Sequence, residues 1–131
     1  LRYRTYVTLG GVAIAVTAGL YALERGIGDG LSSCGNQPIR TERSPDGALR
    51  AVLFERDCGA TTGTSTQVSI LAKDEILLNE SGNTFIIRHE PAVGLTWIRA
   101  RELEISYKPA ETVFQKKTSV NSVSISYATK Q

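Results

Sequence analysis

The chain has 131 residues, 41% of them hydrophobic, with 15 basic against 13 acidic side chains. That length supports one domain with an adequate core, and a formal net charge of +2 is too small to imply nucleic-acid binding. One His, two Cys and no Met leave little material for acid–base chemistry or a metal centre, so no catalytic, cofactor-binding or metal-ligating set is expected.

Apolar residues concentrate at the start. Thr5 to Leu23 is a run of 19 residues without a charge. As an α-helix it is about 28 Å long, close to the roughly 30 Å of a bilayer's hydrocarbon core. Arg2 and Arg4 precede the run, whereas Glu24, Arg25 and Asp29 follow it. The positive-inside bias predicts a cytoplasmic N-terminus and an external remainder. Tyr3, Tyr6 and Tyr21 stand near the two ends, where amphipathic rings favour the interface. Residues 1–23 therefore read as a cytoplasmic tip and signal anchor in contact with lipid. Val16-Thr17-Ala18 offers the alternative of a cleaved signal peptide, opposed by the length of the run and by Leu20–Leu23 beyond the cut. Leu31-Ser32-Ser33-Cys34 has a lipobox-like composition, but seven polar or Gly-rich positions separate it from the apolar run, counting from Glu24 to Gly30. Gly11, Ala15 and Gly19 line one stripe of the helix, a spacing that lets two helix backbones approach closely and predicts a partner helix.

Residues 24–33 form a Gly-rich linker. Its Gly26, Gly28 and Gly30 do not make a phosphate loop, because such a loop follows a strand and opens a helix. From residue 34 to 131 the pattern is β. Ser44-Pro45-Asp46-Gly47 is a turn signal. Ala48–Arg56 runs through Ala51-Val52-Leu53-Phe54, apolar on both faces as in a central strand. Thr64–Leu71 alternates, with Thr66, Val68 and Ile70 on one side and Ser65, Gln67 and Ser69 on the other. Thr84–Arg88, Val93–Ile98, Glu102–Tyr107, Thr112–Lys116 and Ser122–Tyr127 complete about seven short strands. An all-β soluble domain, an antiparallel sandwich or a curled single sheet, is predicted behind one transmembrane helix.

Cys34 and Cys58 lie 24 positions apart, which fits neither a CxxC redox motif nor a zinc knuckle. On the oxidising side of a membrane an even pair reads as a disulfide, worth roughly 3 kcal/mol by loop closure. The rival pairs Cys58 with His89 as nucleophile and base, but no third orienting group is visible. His89-Glu90-Pro91 lacks the second His of HExxH. Glu102 and Glu104 fall on an exposed strand face, and Thr61–Thr66 reads as a turn entering a strand whose polar face is solvated. Asn79-Glu80-Ser81 fits a glycosylation sequon, irrelevant in a bacterial host.

The run Ser44–Gly47, then Ala51–Gly63 with Asp57-Cys58-Gly59-Ala60-Thr61-Thr62 at its centre, then Ser65–Ile70, resembles a family of small bacterial envelope proteins of uncharacterised function, whose core reads SPDG…RDCGATT…STQVSI. The similarity is dense from Cys34 to Ile70 and loose over Trp97–Tyr127. That family also carries an upstream Cys-Gly-Asn, matched by Cys34-Gly35-Asn36, which agrees with the Cys34–Cys58 bridge. The resemblance implies bacterial origin and an envelope location. The turn and its strand also resemble one β-propeller repeat, but a single copy cannot close a propeller.

These readings predict a non-enzymatic, single-pass protein of the bacterial inner membrane whose periplasmic β domain binds another protein, as an accessory or assembly subunit of a membrane complex. Its partners would be other membrane-protein subunits, met through the helix and the β domain, and no nucleic acid. The alternatives are an envelope module that captures a ligand or excludes a toxin or phage, and a hydrolase using Cys58 or a Ser.

Overall fold

Runs of β-branched and aromatic residues separated by turn residues fold into nine strands across residues 33–131, the part of the chain that this computed structural model describes. They are β1 (Gly35–Arg43), β2 (Leu49–Asp57), β3 (Thr64–Ala72), β4 (Phe85–Arg88), β5 (Gly94–Arg99), β6 (Glu102–Tyr107), β7 (Val113–Lys116), β8 (Ser119–Val120) and β9 (Val123–Thr129). The Thr5–Leu23 segment and its Gly11, Ala15 and Gly19 stripe lie outside the described residues, as does the linker up to Ser32. Among the described residues no helix is long and apolar enough to cross a membrane.

The strands form two sheets, ordered β1-β2-β3-β4-β7 and β5-β6-β9-β8, rather than one curled sheet. Two expectations need correction. The strands number nine, not seven, because β1 and β8 are added. The domain is also not wholly antiparallel, since β6 and β9 run parallel, with Leu103 opposite Ile125 and Ile105 opposite Tyr127. A parallel pair needs a long crossover. Here the chain leaves β6, adds β7 to the edge of the other sheet, and returns through β8. A two-residue turn then joins β8 to β9, with Asn121 and Ser122 both at positive φ, 49° and 62°, as a type I′ hairpin demands.

One core lies between the sheets. Ala51, Leu53, Val68, Ile70, Phe85 and Ile87 from the first meet Leu95, Leu103, Ile105, Tyr107, Val123 and Ile125 from the second. Removing such apolar area from water contributes about 25 cal/mol per Å². Phe85 anchors it, with its ring 5.1 Å from Tyr107 and 5.5 Å from Tyr127 between centroids. Burial, with Tyr107 adding to it, pushes the Tyr127 phenol up to about 12.

The central position of β2 explains its unbroken apolar run. Ala51 and Leu53 enter the main core, while Val52 and Phe54 join Leu71 on the opposite face, capped by Leu77. The segment 73–84 crosses that face, so the polar side of β3 is not solvated as expected. Gln67 and Ser69 are only 3% and 4% exposed. Their polar groups are satisfied by the crossing segment: the Gly82 N–H donates to Gln67 Oε1 at 2.6 Å and the Asn83 N–H to Ser69 Oγ at 3.1 Å. A Cβ on Gly82 would stand 2.8 Å from the Val68 carbonyl oxygen, so this approach needs glycine.

The Ser44–Gly47 turn forms as predicted. The Ser44 hydroxyl and the Ala48 N–H both donate to Asp46 Oδ1, at 2.7 and 3.1 Å. These bonds, with Arg101 nearby, hold the Asp46 carboxyl below the usual carboxylate range. From this turn β1 and β2 pair regularly to Arg40 and Leu53, after which Ile39 is bulged out and Pro38 takes Phe54. The one-residue shift matters at the far end. It sets Gly35 opposite Asp57, and therefore Cys34 opposite Cys58; without it Cys34 would face Gly59.

Candidate functional site

Cys34 and Cys58 are joined in a disulfide with an S–S distance of 2.08 Å. The bridge removes two of the chemistries weighed on the sequence. Cys58 has no thiolate to act as a nucleophile, and Cys34 has no free sulfur for a lipid. It also fixes one end of an open groove of about 800 Å³ on the face of the five-stranded sheet turned away from the main core.

The groove is assembled by register. Arg56 on β2 stands opposite Ser65 on β3, and Ser65 opposite Arg88 on β4, so one cross-strand row carries two guanidinium groups with a hydroxyl between them. The backbones of the two arginines are two strand spacings apart, about 10 Å. The next row brings Gln67 opposite Ile86. Phe114 of the edge strand β7, 58% exposed, closes one side, with the Arg88 guanidinium 5.6 Å from its ring centre. The loop Thr61-Thr62-Gly63-Thr64 and His89 form the rim. Gly59 and Gly63 bend that loop, with φ of 97° and 69°.

The polar groups of the lining are oriented. Gln67, its Oε1 held by Gly82, donates from Nε2 to Ser65 Oγ at 2.8 Å. Ser65 Oγ accepts that bond, and its O–H remains a donor. Arg56 Nη1 is steadied by the neutral side-chain oxygens of Asn36 and Asn79, at 2.7 and 3.1 Å. Among the described residues no carboxylate lies within salt-bridge distance of Arg56 or Arg88; the ion pairs there are Arg40–Glu42, Arg99–Glu102 and Arg101–Asp46. No Asp or Glu lines the groove. Asp57 and Glu90, which flank it in sequence, are turned onto the backbone N–H groups of Gly59 and Ala92.

His89 sits at the rim in an uncommon backbone conformation, φ 26°, with Nδ1 2.7 Å from Thr64 Oγ1. Among the described residues no carboxylate hydrogen-bonds its ring. Nor do three or more His, Cys, Asp or Glu side chains gather where they could hold a metal ion. As a surface the groove offers fixed positive charge, hydroxyl donors and an apolar side, a combination suited to binding.

Of the residues singled out on the sequence, the structure brings Cys58, His89 and the Thr61–Thr64 stretch together, but as groove wall and rim. Glu102 and Glu104 lie on the other sheet, outward of Leu103 and Ile105. Arg56 and Ser65 fell within the core of the resemblance but were given no role there, and Arg88 lay outside it. The hydroxyl-rich, Gly-flanked stretch before β3 was the signal that could have led to them. Comparison with known protein families, with curated proteins and with solved structures finds no match to this chain.

Proposed function

We propose that this chain is a non-enzymatic binding protein of the bacterial envelope, anchored in the inner membrane by Thr5–Leu23 with its β domain on the periplasmic side, and that the β domain captures a small ligand in the Arg56–Arg88 groove. The observation that carries the reading is a built surface with two arginines free of carboxylate partners among the described residues, and with donors fixed from behind. Such preorganisation costs the fold something and serves an occupant. The disulfide supports an oxidising compartment, and the resemblance of the Ser44–Ile70 region to small envelope proteins points the same way.

The test is a photo-crosslinking amino acid placed in the full chain, in cells, at Thr62 or Ser81 on the groove and at Glu104 on the other sheet. Adducts at the groove positions and none at Glu104 are expected, with mass spectrometry giving the captured species. Equal labelling at all three positions, or none at the groove, overturns the reading. A second reading, an accessory subunit of an inner-membrane complex, is favoured by exposed Phe114 on β7, an edge strand among the described residues, where a partner strand could pair. It requires a protein adduct from position 114 and none of small mass from the groove.

A further inference from the structure

We infer that the occupant of the groove carries a tetrahedral oxyanion, a phosphate group, received between Arg56 and Arg88 above Ser65. This inference rests on the ligand-capture reading and names its chemistry. A planar carboxylate is satisfied by one bidentate guanidinium. Here Arg56 and Arg88 flank Ser65 in one cross-strand row and line the same groove, Arg56 held by Asn36 and Asn79 on its β1 side and Arg88 over the Phe114 ring. A group received between them meets a cation on two sides, and a phosphate has enough oxygens to bond both where a planar carboxylate engages one. Because the lining has no Asp or Glu, nothing in the groove repels a dianion. Beside the cationic row, Ile86 and Phe114 offer an apolar shelf for the organic part of a phosphate ester.

The same chemistry can come from a soluble phosphate compound or from a phospholipid headgroup, and two arms of one experiment separate them. The full-length protein, isotopically labelled and held in nanodiscs of zwitterionic phosphatidylcholine, is titrated with inorganic phosphate and, in parallel, with acetate. A second preparation in nanodiscs containing phosphatidylglycerol is examined without added phosphate. NMR shifts of the Thr62, Gly63 and Ser65 amides and of the arginine Nε–H groups are the readout. Saturable shifts with phosphate, and a Kd weaker by about tenfold or more in R56Q and in R88Q, are expected. Those shifts with inorganic phosphate alone mark a soluble source, and those with phosphatidylglycerol alone a lipid one.

The Arg88 side chain makes no hydrogen bond to another described residue and lies over the Phe114 ring, so R88Q keeps the test valid even where R56Q, cut from Asn36 and Asn79, fails to fold. Acetate binding as tightly as phosphate, an unchanged Kd in R88Q, or no saturable shift in either arm overturns the inference. Groove-specific cross-links without phosphate binding remove the phosphate and leave ligand capture standing, whereas loss of both removes the two together.

Discussion

Removing the Cys34–Cys58 bridge by the double substitution Cys34→Ser, Cys58→Ser perturbs the unfolded chain more than the folded one. The bridge closes a loop between residues 24 positions apart, and restoring that loop's freedom is worth about 3.5 kcal/mol at 25 °C. Each kcal/mol moves the melting temperature of a domain this size by about 4–8 °C, so the midpoint falls by about 14–28 °C. The effect is also local in the native state. Next to the bridge stand the Asn79–Cys34 and Asn36–Arg56 hydrogen bonds, at 2.9 and 2.7 Å, which tie the start of β1 to its surroundings. Far-UV circular dichroism of the full-length protein in detergent micelles gives the midpoint. Hydrogen exchange gives the location: faster exchange at Gly35–Gln37, unchanged exchange in β6 and β9. Reductant added to the unaltered protein reproduces both. A midpoint shift below about 5 °C, or two reactive thiols in protein taken from an oxidising compartment, refutes the reasoning.

Phe85→Ala empties a fully buried site against Tyr107 and Tyr127 and costs about 4 kcal/mol in urea unfolding; a loss under about 1 kcal/mol would show that the aromatic cluster is not packed as described. Gly82→Ala drives a methyl into the Val68 carbonyl, costs about 1–3 kcal/mol and shifts the Gln67 side-chain amide signal, and an unchanged signal contradicts the close crossing. Asp46 titrates lower in the folded protein than its ordinary 3.8, so its contribution is present above that value and is lost as pH falls through the folded-state value. Asp46→Asn therefore lowers the urea midpoint at neutral pH, and the gap to the unaltered protein closes in acid; a gap constant with pH goes against it. Deleting Ile39 removes the bulge while leaving Cys34 opposite Cys58, so the disulfide still forms, as thiol labelling of the denatured protein would show.

How far the sequence revealed the fold depended on where each residue's partners lie. Strands β2, β3, β4, β5, β6, β7 and β9 were legible to within two or so residues because an apolar run, as in β2, or a period-two alternation, as in β6 and β9, is local information; short β7 was bounded by its turn residues. β1 was invisible for the opposite reason. As an edge strand, GNQPIRTER is held by backbone pairing and shows almost no buried side chains, so hydrophobicity gave no signal. The two-residue β8 is too short to have a period. Direction of pairing is not written in one strand at all, and β6 and β9 carry the same alternation whether parallel or antiparallel.

The polar side of β3 was misread because Gln67 and Ser69 look solvated unless the segment that covers them is known. The groove was least legible. Arg56, Ser65 and Arg88 come from three strands and meet only through register, a relation with no fixed spacing along the chain. The disulfide, by contrast, followed from counting two cysteines and assigning a compartment.

The bridge has a mechanical consequence as well. Tension between residue 33 and the C-terminus enters the domain at Cys34, crosses the sulfur–sulfur bond to Cys58, and continues along residues 59–131. The whole β1–β2 hairpin, residues 35–57, lies off this path. A chain drawn taut from its N-terminal side would otherwise peel away the edge strand pair by pair, beginning at Gly35. With a covalent bypass, the nine-residue hairpin arm with the fewest buried side chains carries no load until a chemical bond is broken.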